Sequence, residues 1–201
     1  LAEFHKAAKG YIAPPGCRVK DELGNLPKSF NKRLTELKRL KKTASKEKSK
    51  FDQIFLQHVD YFCAQAESVI KQLKTDAYEN AVNAARLEKV FCHHDFAHSN
   101  IIHSGNKVFL VNFDHCCYEL KVYDIANFIR RKMRKCNWNT EECKLILEQY
   151  LMVENLSKDE IFVMKLMLQF PQKFWRVANK YYNNKRSWAQ KVFYSKLEEA
   201  I

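Results

Sequence analysis

Glycine is nearly missing from this chain. The 201 residues contain four, at positions 10, 16, 24 and 105, where ordinary usage of about 7% would supply roughly 14. Loops that cradle phosphate through the backbone need clustered glycines, because only a residue without a Cβ lets the main chain approach so closely. No two of these four share such a spacing. A Walker loop and a GxGxxG turn are both excluded.

What remains is ample for a packed fold. Hydrophobic residues make up 46% and aromatic residues 13% of the chain, enough apolar area to rule out intrinsic disorder and to make one compact domain the default. No apolar run reaches the length of about 18 residues that a membrane-spanning helix needs, so no membrane partner is expected. The seven cysteines are an odd number and include no CxxC pair. With no signal-like apolar stretch at the start, reduced thiols and synthesis in a cytoplasm are expected. Leu1, Phe4, His5 and Ala8 share a helical face from the first residue, as if a helix were entered partway. The chain reads as a piece of a longer protein.

Helical periodicity dominates. Pro14-Pro15-Gly16 ends the opening helix. Residues 29–50 are helical in period and strongly basic, with nine Lys/Arg against two Glu between 31 and 50. Phe55, Val59, Phe62, Ala66, Ile70 and Leu73 recur at spacings of three and four, which predicts a long core-facing helix. Residues 76–88 predict another helix or its continuation. The texture changes at Val90. Val90-Phe91-Cys92 reads as a short strand, and Ile101-Ile102-His103 and Val108 to Val111, joined through Ser104-Gly105-Asn106, read as a hairpin. Helices return from Tyr123. Thr140 precedes a Glu-rich first turn, Ser157 to Glu160 form a capping box, and Pro171 opens a helix carrying Phe174, Trp175, Tyr181 and Tyr182. Those aromatics, with Trp188, are expected in the core.

Polar chemistry concentrates in the β element. Five of the seven histidines lie between positions 93 and 115, interleaved with Asp95, Asn100, Asn112 and Asp114. An Asp followed five residues later by an Asn suits phosphoryl transfer. The carboxylate can orient a hydroxyl and accept its proton, and the Asn carbonyl oxygen can bind a metal ion. A zinc site built from His94, His98, His103, His115 and Cys116 is the competing idea, but these spacings match no standard zinc site.

His93-x-Asp95-x-x-x-x-Asn100 resembles the catalytic loop of the aminoglycoside-phosphotransferase and protein-kinase-like superfamily. Val111-Asn112-Phe113-Asp114 stands where that superfamily has its metal-binding "IDFD" strand end, and Tyr123-Asp124-Ile125-Ala126 where it has its "DLA" helix start. Three segments, Leu1 to Tyr11, Phe113 to Arg131 and Phe170 to Trp188, are similar to the CotS-type spore coat proteins of endospore-forming bacteria. The resemblance implies a mainly α fold with a small β-hairpin element, the C-terminal lobe of a protein-kinase-like fold. Its parts would be a helical subdomain at 1–89, the catalytic loop and hairpin at 90–114 and C-terminal helices at 123–200, without the N-terminal nucleotide lobe. It implies Asp95 as catalytic base and Asn100, Asn112 and Asp114 as metal ligands. His93 would brace the loop, and Asp124 would cap its helix and hold the loop from behind. Mg²⁺ and ATP would be the cofactors in the intact protein. Two positions depart from the pattern: Asn112 replaces the usual Mg²⁺-binding Asp, and His94 the usual Gly. If the segment is extended, Asn112 and Asp114 point to the same face.

Three functions are consistent with these features. The first is a spore coat-associated phosphotransferase acting on a hydroxyl of an unknown substrate. The second is a catalytically inactive pseudokinase kept as a structural or interaction component among other spore coat proteins. The third is a polyanion or nucleic-acid binder using the formal charge of +12, although no nucleic-acid reading motif accompanies that charge. A net positive charge repels polycations such as aminoglycosides, so an anionic or neutral hydroxyl compound is the expected substrate. The expected location is the cytoplasm of a sporulating cell and then the spore coat.

Overall fold

Helix-start chemistry sets several boundaries in the computed structural model, which describes residues 1–183 and 189–201. Trp188 lies outside the described residues. In chain order the elements are α1 (Ala2–Ala7), β1 (Lys20–Asp21), α2 (Leu26–Ala44), α3 (Lys50–Gln72), α4 (Asp76–Glu88) and β2 (Phe91–Cys92). They continue with β3 (Ile101–Ser104), β4 (Lys107–Leu110), β5 (Cys117–Tyr118), α5 (Lys121–Met133), α6 (Thr140–Leu151), α7 (Lys158–Gln169), α8 (Gln172–Asn183) and α9 (Gln190–Glu198). The basic stretch expected to be helical through residue 50 stops at Ala44. Ser49 starts a new helix there: its hydroxyl accepts the Asp52 N–H at 3.2 Å, and Asp52 accepts the Ser49 N–H at 2.9 Å. This reciprocal box satisfies two donors that a continuous helix would not leave free. The same device at Ser157 and Glu160 starts α7. At α6 the cap is Asn139 rather than Thr140, its side chain accepting from Glu141 N at 3.0 Å.

The chain forms two compact units. One comprises residues 26–74 and 169–201 and is held by aromatic packing. Phe51, Phe55, Phe174 and Phe193 are buried to 1% exposure or less, each stabilising the fold by about 2–3 kcal/mol through burial. Phe55 stacks on Phe174 at 5.3 Å and Phe51 on Tyr181 at 3.8 Å. Phe174, Tyr181 and Tyr182 pack in this cluster; Trp175, also expected in the core, is half-buried beneath the Arg33 guanidinium, 4.9 Å from its ring, and its indole N–H donates to Glu36 at 2.7 Å.

The other unit comprises residues 1–25 and 75–168 and holds both small sheets. The hairpin pairs β3 with β4 in antiparallel register, Ile101 opposite Leu110 and Ser104 opposite Lys107. Gly105 takes a φ of +56° at its turn, a conformation glycine adopts at no steric cost. The second sheet has the order β1-β5-β2, with β5 parallel to β1 and antiparallel to β2. Behind it α5 buries Val122, Ile125, Ala126 and Ile129. Lys121 and Glu154, both nearly buried, pair at 3.0 Å, and Lys9 meets the same carboxylate at 2.6 Å, so neither buried charge is left alone.

Candidate active site

Every expected site residue lies in the unit holding the sheets. β2 delivers the chain to His93, and residues 93–100 form the loop that runs into the hairpin. His93 is fully buried. Its Nε2 meets the Val111 carbonyl at 3.0 Å, and its Nδ1 faces the Asp95 N–H at 3.3 Å. A carbonyl only accepts, so Nε2 carries the proton and Nδ1 is the acceptor. One imidazole thus ties the start of the loop to the end of the hairpin. His94 takes a φ of +65°, the left-handed region where glycine is at ease and histidine is tolerated. Its ring stacks on Tyr123 at 4.1 Å, and burial holds its pKa below the ordinary histidine value.

Asp124, 1% exposed, holds this turn. Its two oxygens accept the N–H groups of His93 and His94, each at 2.8 Å, and Oδ2 also meets His5 Nε2 at 3.2 Å. The carboxylate therefore serves the loop rather than capping α5, whose N-cap, Leu120, makes no side-chain cap bond. His5 closes the set from α1, with Nδ1 2.7 Å from the Tyr150 hydroxyl.

Asp95, Asn100 and Asn112 form one hydrogen-bonded chain. The Asn100 amide donates to the Asp95 carbonyl at 2.9 Å and to Asp95 Oδ2 at 3.3 Å, while Asn100 Oδ1 accepts from Asn112 Nδ2 at 3.3 Å. Asn112 has a φ of +66°, a region in which Asn is several-fold enriched. That backbone is not extended, so the expected same-face pairing of Asn112 with Asp114 does not hold. Asp114 sits exposed in the following turn, outside the hydrogen-bonded chain.

Two residues in this network were not expected from the sequence. Arg131 Nη2 donates to Asp95 Oδ1 at 2.7 Å and Nη1 to the Phe96 carbonyl at 3.0 Å. This guanidinium, aided by the Asn100 amide, holds the Asp95 carboxyl below its usual range. His5 is the other. The only legible signal for Arg131 was its place seven residues after Asp124, two turns along one helix face.

Oxygen donors for a divalent ion are present in Asn100 and Asn112. Turning the Asn112 amide end for end would put two carbonyl oxygens 3.3 Å apart, close to the roughly 2.9 Å edge implied by octahedral Mg²⁺ with 2.0–2.1 Å ligands. Both ligands are neutral, which this hard ion favours less than carboxylates. Among the described residues, the ligand-type cluster that does converge is His5, Cys92 and Asp124. It is already satisfied internally, since the Cys92 thiol donates to the Glu119 carbonyl at 3.2 Å and burial keeps that thiol protonated. The histidines considered for zinc do not form such a cluster.

The architecture matches a solved aminoglycoside phosphotransferase from Alicyclobacillus acidocaldarius subsp. acidocaldarius DSM 446. The TM-score is 0.81 at 23% identity, over 99% of this chain and 58% of that one. The fold is protein-kinase-like. The sequence matches the family described as "Spore coat putative kinase YutH" over residues 1–201, the whole chain, and the protein belongs to that family. It is also 26% identical over 201 residues to spore coat protein S of Bacillus subtilis (strain 168), covering 98% of this chain and 57% of that protein. The chain thus spans a little over half the length of these relatives.

Proposed function

We propose that the intact protein is a spore coat phosphotransferase that passes the γ-phosphate of ATP to a hydroxyl group of its substrate. The observation that carries this reading is the hydrogen-bonded chain Asp95–Asn100–Asn112, its first two members on the loop between β2 and the hairpin and Asn112 just after the hairpin's second strand. Asp95 is the general base. A substrate hydroxyl donating to its carboxylate is oriented for attack and gives up its proton there. Asn100 and Asn112 would hold Mg²⁺, with Asp114 the nearest following carboxylate in the sequence. The ion would supply positive charge against the phosphates. His93 and Asp124 keep the loop in shape. Substrates fitting the positive net charge of +12 are anionic or neutral hydroxyl compounds, or other coat proteins. Synthesis in the sporulating cell and delivery to the spore coat complete the reading.

A specific observation favours a silent pseudokinase instead. Asn112 meets Asn100 through neutral amides, an interaction complete without any ion. Titrating ATP into the intact protein with and without Mg²⁺ separates the two. In the phosphotransferase, Asn112→Asp should tighten Mg²⁺-dependent ATP binding by about 1–3 kcal/mol, the usual worth of a charge-assisted interaction in a partly buried site. Asp95→Asn should abolish turnover while sparing that binding. No tightening from Asn112→Asp, together with a lower melting temperature, would put the silent reading in front.

A further inference from the structure

We infer that Arg131 is a positioning residue for Asp95: through two hydrogen bonds it fixes which carboxylate oxygen faces an incoming hydroxyl. This rests on the reading of Asp95 as the base. Asp124 and Arg131 are seven residues apart on α5, about 10.5 Å along the helix and two turns along one face. The loop from His93 to Phe96 turns at His94, whose φ is +65°, and its hydrogen bonds to that helix face follow in order. Asp124 accepts from the N–H groups of His93 and His94, and Arg131 donates to the Asp95 carboxylate and the Phe96 carbonyl. One helix face thereby grips four consecutive loop residues at both ends.

The grip at Asp95 is asymmetric. Oδ1 receives the short 2.7 Å bond from Arg131, whereas Oδ2 has only the 3.3 Å bond from Asn100. Oδ2 is the oxygen with acceptor capacity to spare, so it is the one that takes the proton of a substrate hydroxyl. A guanidinium fits this task better than an ammonium, because its planar fork reaches the carboxylate and the neighbouring carbonyl together.

The test is carbon NMR of the intact protein at one neutral pH, which needs no substrate. Arg131→Gln should shift the resonances of both the Asp95 carboxyl and the Phe96 carbonyl, and Arg131→Lys should leave the Phe96 carbonyl shifted as in the Gln variant, since an ammonium does not span both acceptors. Turnover of ATP with Mg²⁺ should fall about tenfold or more in Arg131→Gln with the KM for ATP unchanged, and recover in part in Arg131→Lys. Equal turnover in the Gln and Lys variants would mark a residue that merely fills space and would overturn the inference. Carbon resonances unmoved by Arg131→Gln overturn it whatever the turnover. Moved resonances with an Asp95→Asn variant as active as the wild type keep the Arg131–Asp95 pair but overturn Asp95 as the base.

Discussion

Two carboxylates, one in each unit, are buried to the same 1% exposure and are used differently: Asp52 in the aromatic unit and Asp124 in the sheet-bearing unit. Asp52 accepts the Tyr182 and Ser49 hydroxyls, each at 2.5 Å, and the Ser49 N–H at 2.9 Å. Ser49 is a sequence neighbour, and both hydroxyls can rotate toward other acceptors. Asp124 accepts two backbone N–H groups of the 93–94 turn and an imidazole from the far end of the unit's sequence. Backbone donors cannot turn away unless the loop itself moves. Equal burial therefore hides unequal consequence. One carboxylate starts a helix and joins it to an aromatic cluster, and the other holds the shape of the loop that carries Asp95.

The sharpest way to break this contrast is Asp124→Ala. It strands two buried N–H groups and the His5 proton, for an expected loss of about 3–5 kcal/mol in denaturant unfolding, with faster hydrogen exchange at His93 and His94. Asp52→Ala should cost less, about 1–3 kcal/mol, because a helix cap and one tyrosine bond are lost while the ring packing remains. Equal losses in the two variants would show that the kind of donor does not matter.

A smaller effect sharpens the contrast through pH. Glu119, 4% exposed, is a buried carboxyl in the sheet-bearing unit whose pKa burial pushes up to about 8, against an ordinary 4.5. Between those values the folded state holds a proton that the unfolded state has released. Stability from this group is therefore complete below about pH 4.5 and is lost as pH rises toward 8. Glu119→Gln should remove that decline, so that its melting temperature exceeds the wild type's by more at pH 8 than at pH 5. Asp52→Ala should leave the decline intact. Melting temperatures of the three proteins at pH 5 and pH 8 provide the comparison.

Much of this was legible in advance, for local reasons. Phe55, Val59, Phe62, Ala66 and Ile70 are all buried on α3, as their spacing implied, and the hairpin appears where two apolar runs flank Gly105. The Asp95–Asn100 pairing was also legible, because both ends lie on one short loop. The two-residue strands β1 and β5 were not, since two residues carry no period. The stop at Ala44 was masked by lysines that continue through residue 50, although the Ser49–Asp52 box was there to be read.

The amino-acid order by itself determined the helical periods, the caps, the turn at Gly105 and the loop that carries Asp95 and Asn100. All are set by the conformational preferences of residues a few positions apart. Tertiary structure alone decided which distant groups meet that loop. His5 lies 119 residues from Asp124, and Arg131 lies 36 from Asp95. It also decided that Asn112 turns left-handed, away from an extended register with Asp114. A side chain's partner across such distances depends on how intervening segments close and pack, and no local pattern of residues encodes that closure.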